Sequence, residues 1–275
     1  MRPGESWASS FSGEMILSVL YLGRLDYAIG LALQKTLVEL RHQQRIGNVL
    51  LLLEHPPVLT LGRNSSRSNI LASDELLARR GVEIHEINRG GDVTYHGPGQ
   101  VVGYPIFDLR SFHPRLGAVE YVRKLEEVLI RACGDYGIRT QRISGRTGVW
   151  TFAGGYMQER KIAAVGVHIS RGITSHGFAF NVTTDLRDFG LIVPCGIADR
   201  DVTSLELEVD ASVDMENVMH AISRYFGQVF DCQVLWLESL EDLLPDPAES
   251  PAHDTPLSIP DEVKRLRGEK ESYFA

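Results

Sequence analysis

The run NVLLLLEHPP, residues 48–57, limits the fold of this chain more than any other feature. It is continuously apolar, too short for a long helix, and closed by two prolines, so it reads as a strand buried on both faces. The sequence is 43% hydrophobic over 275 residues, enough for a sizeable core around such a strand.

Helical and strand patterns interrupt one another along the chain. Residues 1–14 read as a loose extension, and the run ILSVLYLG after Met15 as a first strand. Asp26 is a candidate N-cap for a helix in which Ile29, Leu33, Leu37 and Leu40 recur at helical spacing until Gly47. A short helix from Ser73 to Arg80 and the strand VEIHEI follow. The segment RGGDVTYHGPGQ, residues 89–100, is so rich in glycine that a shaped loop is predicted for most of its length. In QVVGYPIFDL, Pro105 predicts an edge position or a bulge. A second amphipathic helix spans Ala118 to Tyr136, with Val122, Leu125, Leu129 and Cys133 on one face and Gly137 at its end. KIAAVGVHIS and ITSHGFAFNVT form a hairpin about Ser170, Arg171 and Gly172, and a last helix covers about Val213 to Phe230. This order predicts an α/β (α+β) fold with a central mixed, largely antiparallel sheet flanked by helices, as one domain over residues 15–240. Pro245, Pro247, Pro251, Pro256 and Pro260 mark residues 241–275 as an extended or partly disordered tail.

A formal charge of −8 argues against generic nucleic-acid binding. The N-terminal segment lacks the pattern of a cleaved signal peptide, and no apolar run is long enough to span a bilayer, so a cytoplasmic location without membrane contact is expected. Three cysteines without a C-x-x-C pair suggest neither a disulfide framework nor a zinc site.

Cys133, on an apolar helix face, and Cys232, between helix and strand, read as small buried hydrophobes. Cys195, in IVPCGIADRDVTSL, is equally open to a structural and a nucleophilic reading. A nucleophilic thiol needs help toward the thiolate. Lys161 is a candidate helper, because alternation places it on one strand face with Ala163, Val165, Val167 and Ile169. A neutral Lys161 would accept the thiol proton, a charged one would stabilise the thiolate, and the ordinary alternative is a solvated strand end beside Arg160. The glycines of residues 89–100 suit close backbone approach to a bound group. His96, His168 and His176 fall in segments that come near one another, yet no metal-ligand spacing appears, and His96 reads as a polar pocket wall.

RGGDVTYHGPGQVVGYPIFDL, then KIAAVGVHISRGITSHGFAFNV, then VPCGIADRDVTSL resembles the lipoyl/octanoyl transferase family, over roughly residues 15 to 235. The resemblance implies the fold of the lipoate and biotin protein ligase catalytic domains. It implies that Cys195 accepts an acyl group and that Lys161 activates it. It assigns substrate contacts to Arg89, Gly90, Gly91, Asp92, Val93, Thr94, Tyr95 and His96, to Ala164, Val165 and Gly166, and to Gly177, Phe178 and Ala179. The implied reaction moves an octanoyl group from acyl carrier protein to a lysine of lipoyl domains, those of 2-oxoacid dehydrogenase E2 subunits and the glycine cleavage H protein. No cofactor, ATP or metal is implied, and a monomer is expected. Arg139, Arg142, Arg146 and Arg160 are candidates for a basic docking patch. The competing readings are an ATP-dependent lipoate or biotin protein ligase and a non-catalytic acyl or carrier-protein binder.

Overall fold

Asn48–Glu54 is the strand that the apolar run predicts, and its side chains alternate between two cores. Leu50 and Leu52 enter the core beneath the two long C-terminal helices, while Val49, Leu51 and Leu53 enter the core beneath the first helix. Both faces of the strand are therefore covered, which is why no polar residue breaks the run.

The computed structural model describes residues 15–152, 159–193 and 202–244. In chain order the elements are β1 (Ile16–Arg24), α1 (Tyr27–His42), β2 (Asn48–Glu54), β3 (Val58–Leu61), α2 (Asp74–Arg79), β4 (Glu83–Glu86), β5 (Val93–His96) and β6 (Gln100–Ile106). There follow α3 (Ala118–Asp135), β7 (Thr140–Ile143), β8 (Arg146–Thr151), β9 (Lys161–Ser170), β10 (Ile173–Asn181), α4 (Leu205–Val209), α5 (Met215–Phe230) and β11 (Gln233–Trp236). Eight strands form one sheet in the order β11-β1-β2-β6-β10-β9-β8-β7. The β11-β1-β2 end is parallel and every other pairing is antiparallel, the mixed sheet that the order of elements predicts. Helices α3 and α5 cover one face; α1 and a small sheet, β4-β3-β5, lie over the other.

Local signals explain the helices. Asp26 caps α1 by accepting from the backbone N–H of Ala28 and Ile29, and Ser73 caps α2 through Leu76 N–H. Gly137, with φ of +73°, follows the end of α3 in the left-handed conformation that glycine adopts without strain.

Two expectations are corrected and one is refined. The glycine-rich segment is loop for most of its length, but Val93–His96 is strand β5, because Val93 and Tyr95 turn into an apolar core and the strand pairs with β3, leaving the glycines to bracket it. Pro105 is not on an edge, since β6 lies between β2 and β10. The proline is accommodated where β10 distorts: His176 has φ of +55°, and between the Gly103–Phe178 and Asp108–Ile173 pairs Thr174 Oγ1 bonds Pro105 O and Phe107 N. The tail begins later than residue 241, because Leu240–Leu243 form a 3-10 turn whose leucines pack on the core beneath α1. Residues 1–14 and the proline-rich stretch after Leu244 lie outside the described residues. Strands β3, β7 and β8 are too short for the sequence periodicity to reveal.

Candidate active site

Strand register places four small residues together. Across the β9–β10 hairpin, Ala164 pairs with Ala179 and Gly166 with Gly177, and β6 continues the first row with Val102 opposite Ala179. Alternation directs all of these to the sheet face that carries α1 and the small sheet. Their shortness leaves a cavity of about 340 Å³ between the two sheets, with Ala164, Gly166, Gly177 and Ala179 as its floor.

The opposite wall is the Arg89–Asp92 segment, held by close backbone approach on both sides. Gly90 N–H donates to Val167 O on β9 at 3.0 Å, while Arg63 N–H and Asn64 N–H donate to Arg89 O and Gly91 O. A Cβ on Gly166 would stand 2.8 Å from Gly90 O, and one on Gly62 would stand 2.5 Å from Gly91 O. Only glycine at these two positions lets the wall close onto its neighbours. Arg89 is buried and folds inward, its Nη2 donating to Thr60 O at 2.9 Å and Thr60 Oγ1 at 3.0 Å. Asp92 accepts twice from Asn69 Nδ2, at 2.8 and 3.0 Å.

Lys161 stands at the start of β9 and lines the same cavity. The face on which alternation puts it, that of Ala163, Val165, Val167 and Ile169, packs in the core beneath α3 and α5, whereas Lys161 Nζ stands over the Trp150 ring, 4.7 Å from its centroid. Trp150 is its register partner on β8, next to a shift in the β8–β9 pairing.

Histidines close the far end. His55 donates from Nδ1 to Leu25 O at 2.6 Å and so accepts at Nε2 from Tyr104 OH at 2.7 Å. His96 Nδ1 donates to Gln100 Oε1 at 2.8 Å, and His176 Nε2 donates to Asn88 Oδ1 at 2.9 Å. Burial is the chief cause that lowers all three, His55 to about 4 and His96 and His176 to about 3, so they are neutral near pH 7. Among the described residues no group of three His, Cys, Asp or Glu side chains is arranged to hold a metal ion.

Of the residues that sequence reasoning assigns to the pocket, Arg89, Gly91, Asp92, Val93, Thr94, His96, Ala164, Val165, Gly166, Gly177, Phe178, Ala179 and Lys161 line this one cavity. Gly90 does not, because it serves as the tether to β9. Tyr95 turns away: its hydroxyl donates to Asp188 at 2.9 Å and its ring packs on Phe189. Tyr27, Tyr104, His176 and the Gly145–Thr147 turn also line the cavity, and sequence reasoning gave them no pocket role. The one sequence signal for Tyr27 was its place directly after the Asp26 cap of α1.

Cys195 lies outside the described residues. The described chain on each side of it is fixed beside the cavity. Val193 N–H donates to the carbonyl of Asn69, the residue that holds Asp92, while Val202 bridges to Lys161 and Thr203 N–H donates to Lys161 O at 2.9 Å. Cys133 and Cys232 are packing residues, their thiols pushed up by burial to about 12 and about 11. Of the arginines of the expected docking patch, Arg142 is bound by Glu126 and Glu127, Arg160 by Glu208, and Arg146 lines the cavity.

The profile of the lipoyl protein ligase A/B catalytic domain matches residues 26–227. An octanoyltransferase of Acidobacterium capsulatum is 71% identical over 239 residues, covering 84% of this chain and 97% of that protein. An octanoyltransferase of Koribacter versatilis is 58% identical over 251 residues, covering 91% and 97%. Among solved structures, a bi-partite lipoate protein ligase from Thermoplasma acidophilum superposes with a TM-score of 0.64 at 15% identity, covering 82% of this chain and 87% of that one. A lipoate-protein ligase A bound with ATP gives 0.61 at 17%, covering 82% and 88%. These structures establish the likeness of fold; the close sequence relatives establish the branch. By its catalytic-domain match over most of its length and its identity to these relatives, the chain belongs to the lipoyl protein ligase A/B catalytic-domain family, and within it to the octanoyltransferases, a group of acyltransferase enzymes.

Proposed function

We propose that the chain moves an octanoyl group from the phosphopantetheine thiol of acyl carrier protein to a lysine of a lipoyl domain, through a thioester on Cys195. The observation that carries this reading is the cavity itself, with an amine at the Lys161 end and a floor of Ala164, Gly166, Gly177 and Ala179. An eight-carbon chain laid on that floor leaves water at about 0.8 kcal/mol per methylene, enough for several kcal/mol of binding.

In the first step the thiol proton of Cys195 passes to Lys161, and the thiolate attacks the donor carbonyl. The carbon–sulfur bond to Cys195 forms and the bond to the donor sulfur breaks. The departing thiolate takes the proton back from Nζ. In the second step the neutral Lys161 takes one proton from the acceptor ammonium, and the amine attacks the Cys195 thioester. The amide forms, Cys195 leaves as thiolate, and the remaining proton goes to water. Thioester exchange is nearly isoenergetic and amide formation is downhill, so the chemistry calls for no ATP and no metal. The acceptors in this reading are lipoyl domains of 2-oxoacid dehydrogenase E2 subunits and the glycine cleavage H protein.

Intact-mass measurement after incubation with octanoyl acyl carrier protein, in the absence of ATP, tests this. One octanoyl adduct is expected, lost in Cys195→Ala and transferred on addition of a lipoyl domain. A protein that gains no adduct, yet acylates the lipoyl domain from free octanoate and ATP, would be a ligase instead.

A further inference from the structure

Trp150 is 2% exposed on β8, and its indole N–H has no hydrogen-bond partner among the described residues. Burying an indole in this way leaves unpaired a donor that a phenylalanine ring would not carry. Something besides the N–H therefore accounts for an indole at this position. Its face supplies that reason, because Lys161 Nζ lies 4.7 Å from the ring centroid and Lys161 is only 9% exposed. Tryptophan has the strongest quadrupole of the natural aromatic rings, and its attraction for an ammonium grows as water is excluded.

The backbone keeps this contact open. Gly148, two residues before Trp150, has φ of +121°, and a Cβ there would stand 2.6 Å from Ala163 O and 3.5 Å from Lys161 Cε. Any other residue at that position would clash with Ala163 O and strain the backbone, so the β8–β9 pairing that sets Trp150 beside Lys161 would have to shift.

We propose that Trp150 is a positioning residue that seats the charged form of Lys161 on its ring face, so that the amine rests as an ammonium at the edge of the cavity and not as a free base. The inference rests on the role given to Lys161 above. In the proton balance of the first step, the indole favours the state in which Nζ already holds the proton that the thiol gives up. The other ionisable groups that line the cavity are Arg89, Asp92 and His96 on the facing wall, Tyr104 and His176 on the floor strands β6 and β10, Tyr27 on α1 and Arg146 at the start of β8. Arg160, next in the chain, is paired with Glu208 at 2.8 Å. Of the rings near the cavity, Trp150 is the one that Lys161 Nζ overlies.

Fluorination of the ring separates electrostatics from shape, since it withdraws charge from the face with little change of volume. With Trp7 and Trp236 replaced by phenylalanine, the enzyme is produced with tryptophan or with mono-, di- or trifluorotryptophan at position 150. Octanoyl transfer is then followed against pH. A graded fall of about 2- to 30-fold across the series is expected, with a displacement of the pH–rate profile in step with each fluorine. Identical rates and profiles throughout would overturn the inference. Lys161→Ala is run beside the series. If that variant keeps full transfer, the role of Lys161 itself fails; if it is inactive while the fluorinated enzymes are indistinguishable, only the role of Trp150 fails.

Discussion

Glu126, fully buried on α3, accepts a hydrogen bond from the backbone N–H of Gly148 at 2.9 Å, and so ties the helix layer to strand β8 beside Lys161. The same carboxylate accepts from Arg123 Nη1 at 2.7 Å and Arg142 Nε at 3.2 Å.

Removing this carboxylate leaves a buried backbone N–H without a partner. The two arginines are 48% and 32% exposed, so their ion pairs contribute little and water replaces them. Glu126→Ala is therefore expected to lose about 2–3 kcal/mol in urea unfolding, and Glu126→Gln, which keeps an acceptor for Gly148, about 1 kcal/mol. Transfer activity of the alanine variant falls about tenfold, because the Gly145–Thr147 wall and the seat of Lys161 lose their support. An alanine variant as stable and as active as the parent would refute the tie.

Tyr104 sits on β6 in the row that continues Gly166 and Gly177 across the sheet, with its hydroxyl fixed by His55. Under the proposed reaction this locked ring is the back wall for the acyl methyl end. Tyr104→Leu opens that end, and the ratio of dodecanoyl to octanoyl transfer is expected to rise about tenfold, the scale on which pockets distinguish a few methylenes. Tyr104→Phe keeps the wall but leaves His55 Nε2 without its donor, so it costs about 1–3 kcal/mol of stability with the chain-length ratio unchanged. Competition between the two acyl carrier proteins decides; a constant ratio in the leucine variant places the methyl end elsewhere.

How much of this was readable beforehand follows the range of the forces involved. The β9–β10 hairpin and α3 are fixed by local periodicity and capping, and the sequence shows them within a residue or two; α1 starts where Asp26 predicts but ends at His42, short of the Gly47 stop. The wall residues near Arg89 and the small residues near Gly166 and Gly177 were legible as family motifs, and alternation then put the small ones on one face. The parts that escaped depend on contacts distant in sequence. Tyr27, Tyr104 and His176 meet at the cavity from α1, β6 and β10, and nothing local to any of them announces the others. The direction of Tyr95 escaped for the same reason: strand pairing with β3 settled that Thr94, and not Tyr95, lines the cavity, and the glycine-rich composition hid the strand.

The neutral histidines make stability depend on pH in a definite direction. Burial holds His55 near about 4 and His96 and His176 near about 3, whereas in the unfolded chain a histidine titrates near about 6.5. As the pH falls below about 6.5 the unfolded chain takes up protons that the folded protein refuses, so the stability due to these groups, complete above that value, is lost progressively down to about pH 4 for His55 and about pH 3 for His96 and His176. Each group can change the unfolding free energy by up to about 1.4 kcal/mol per pH unit within the window. Urea unfolding at about pH 7 and about pH 5.5 is expected to show a clear loss at the lower value. His176→Asn, which removes one of three nearly equal contributors, should reduce the slope by about a third. A slope untouched by that substitution would mean that the acid sensitivity arises from other groups, and that the imidazoles around Tyr104 and Arg89 are not held neutral by burial.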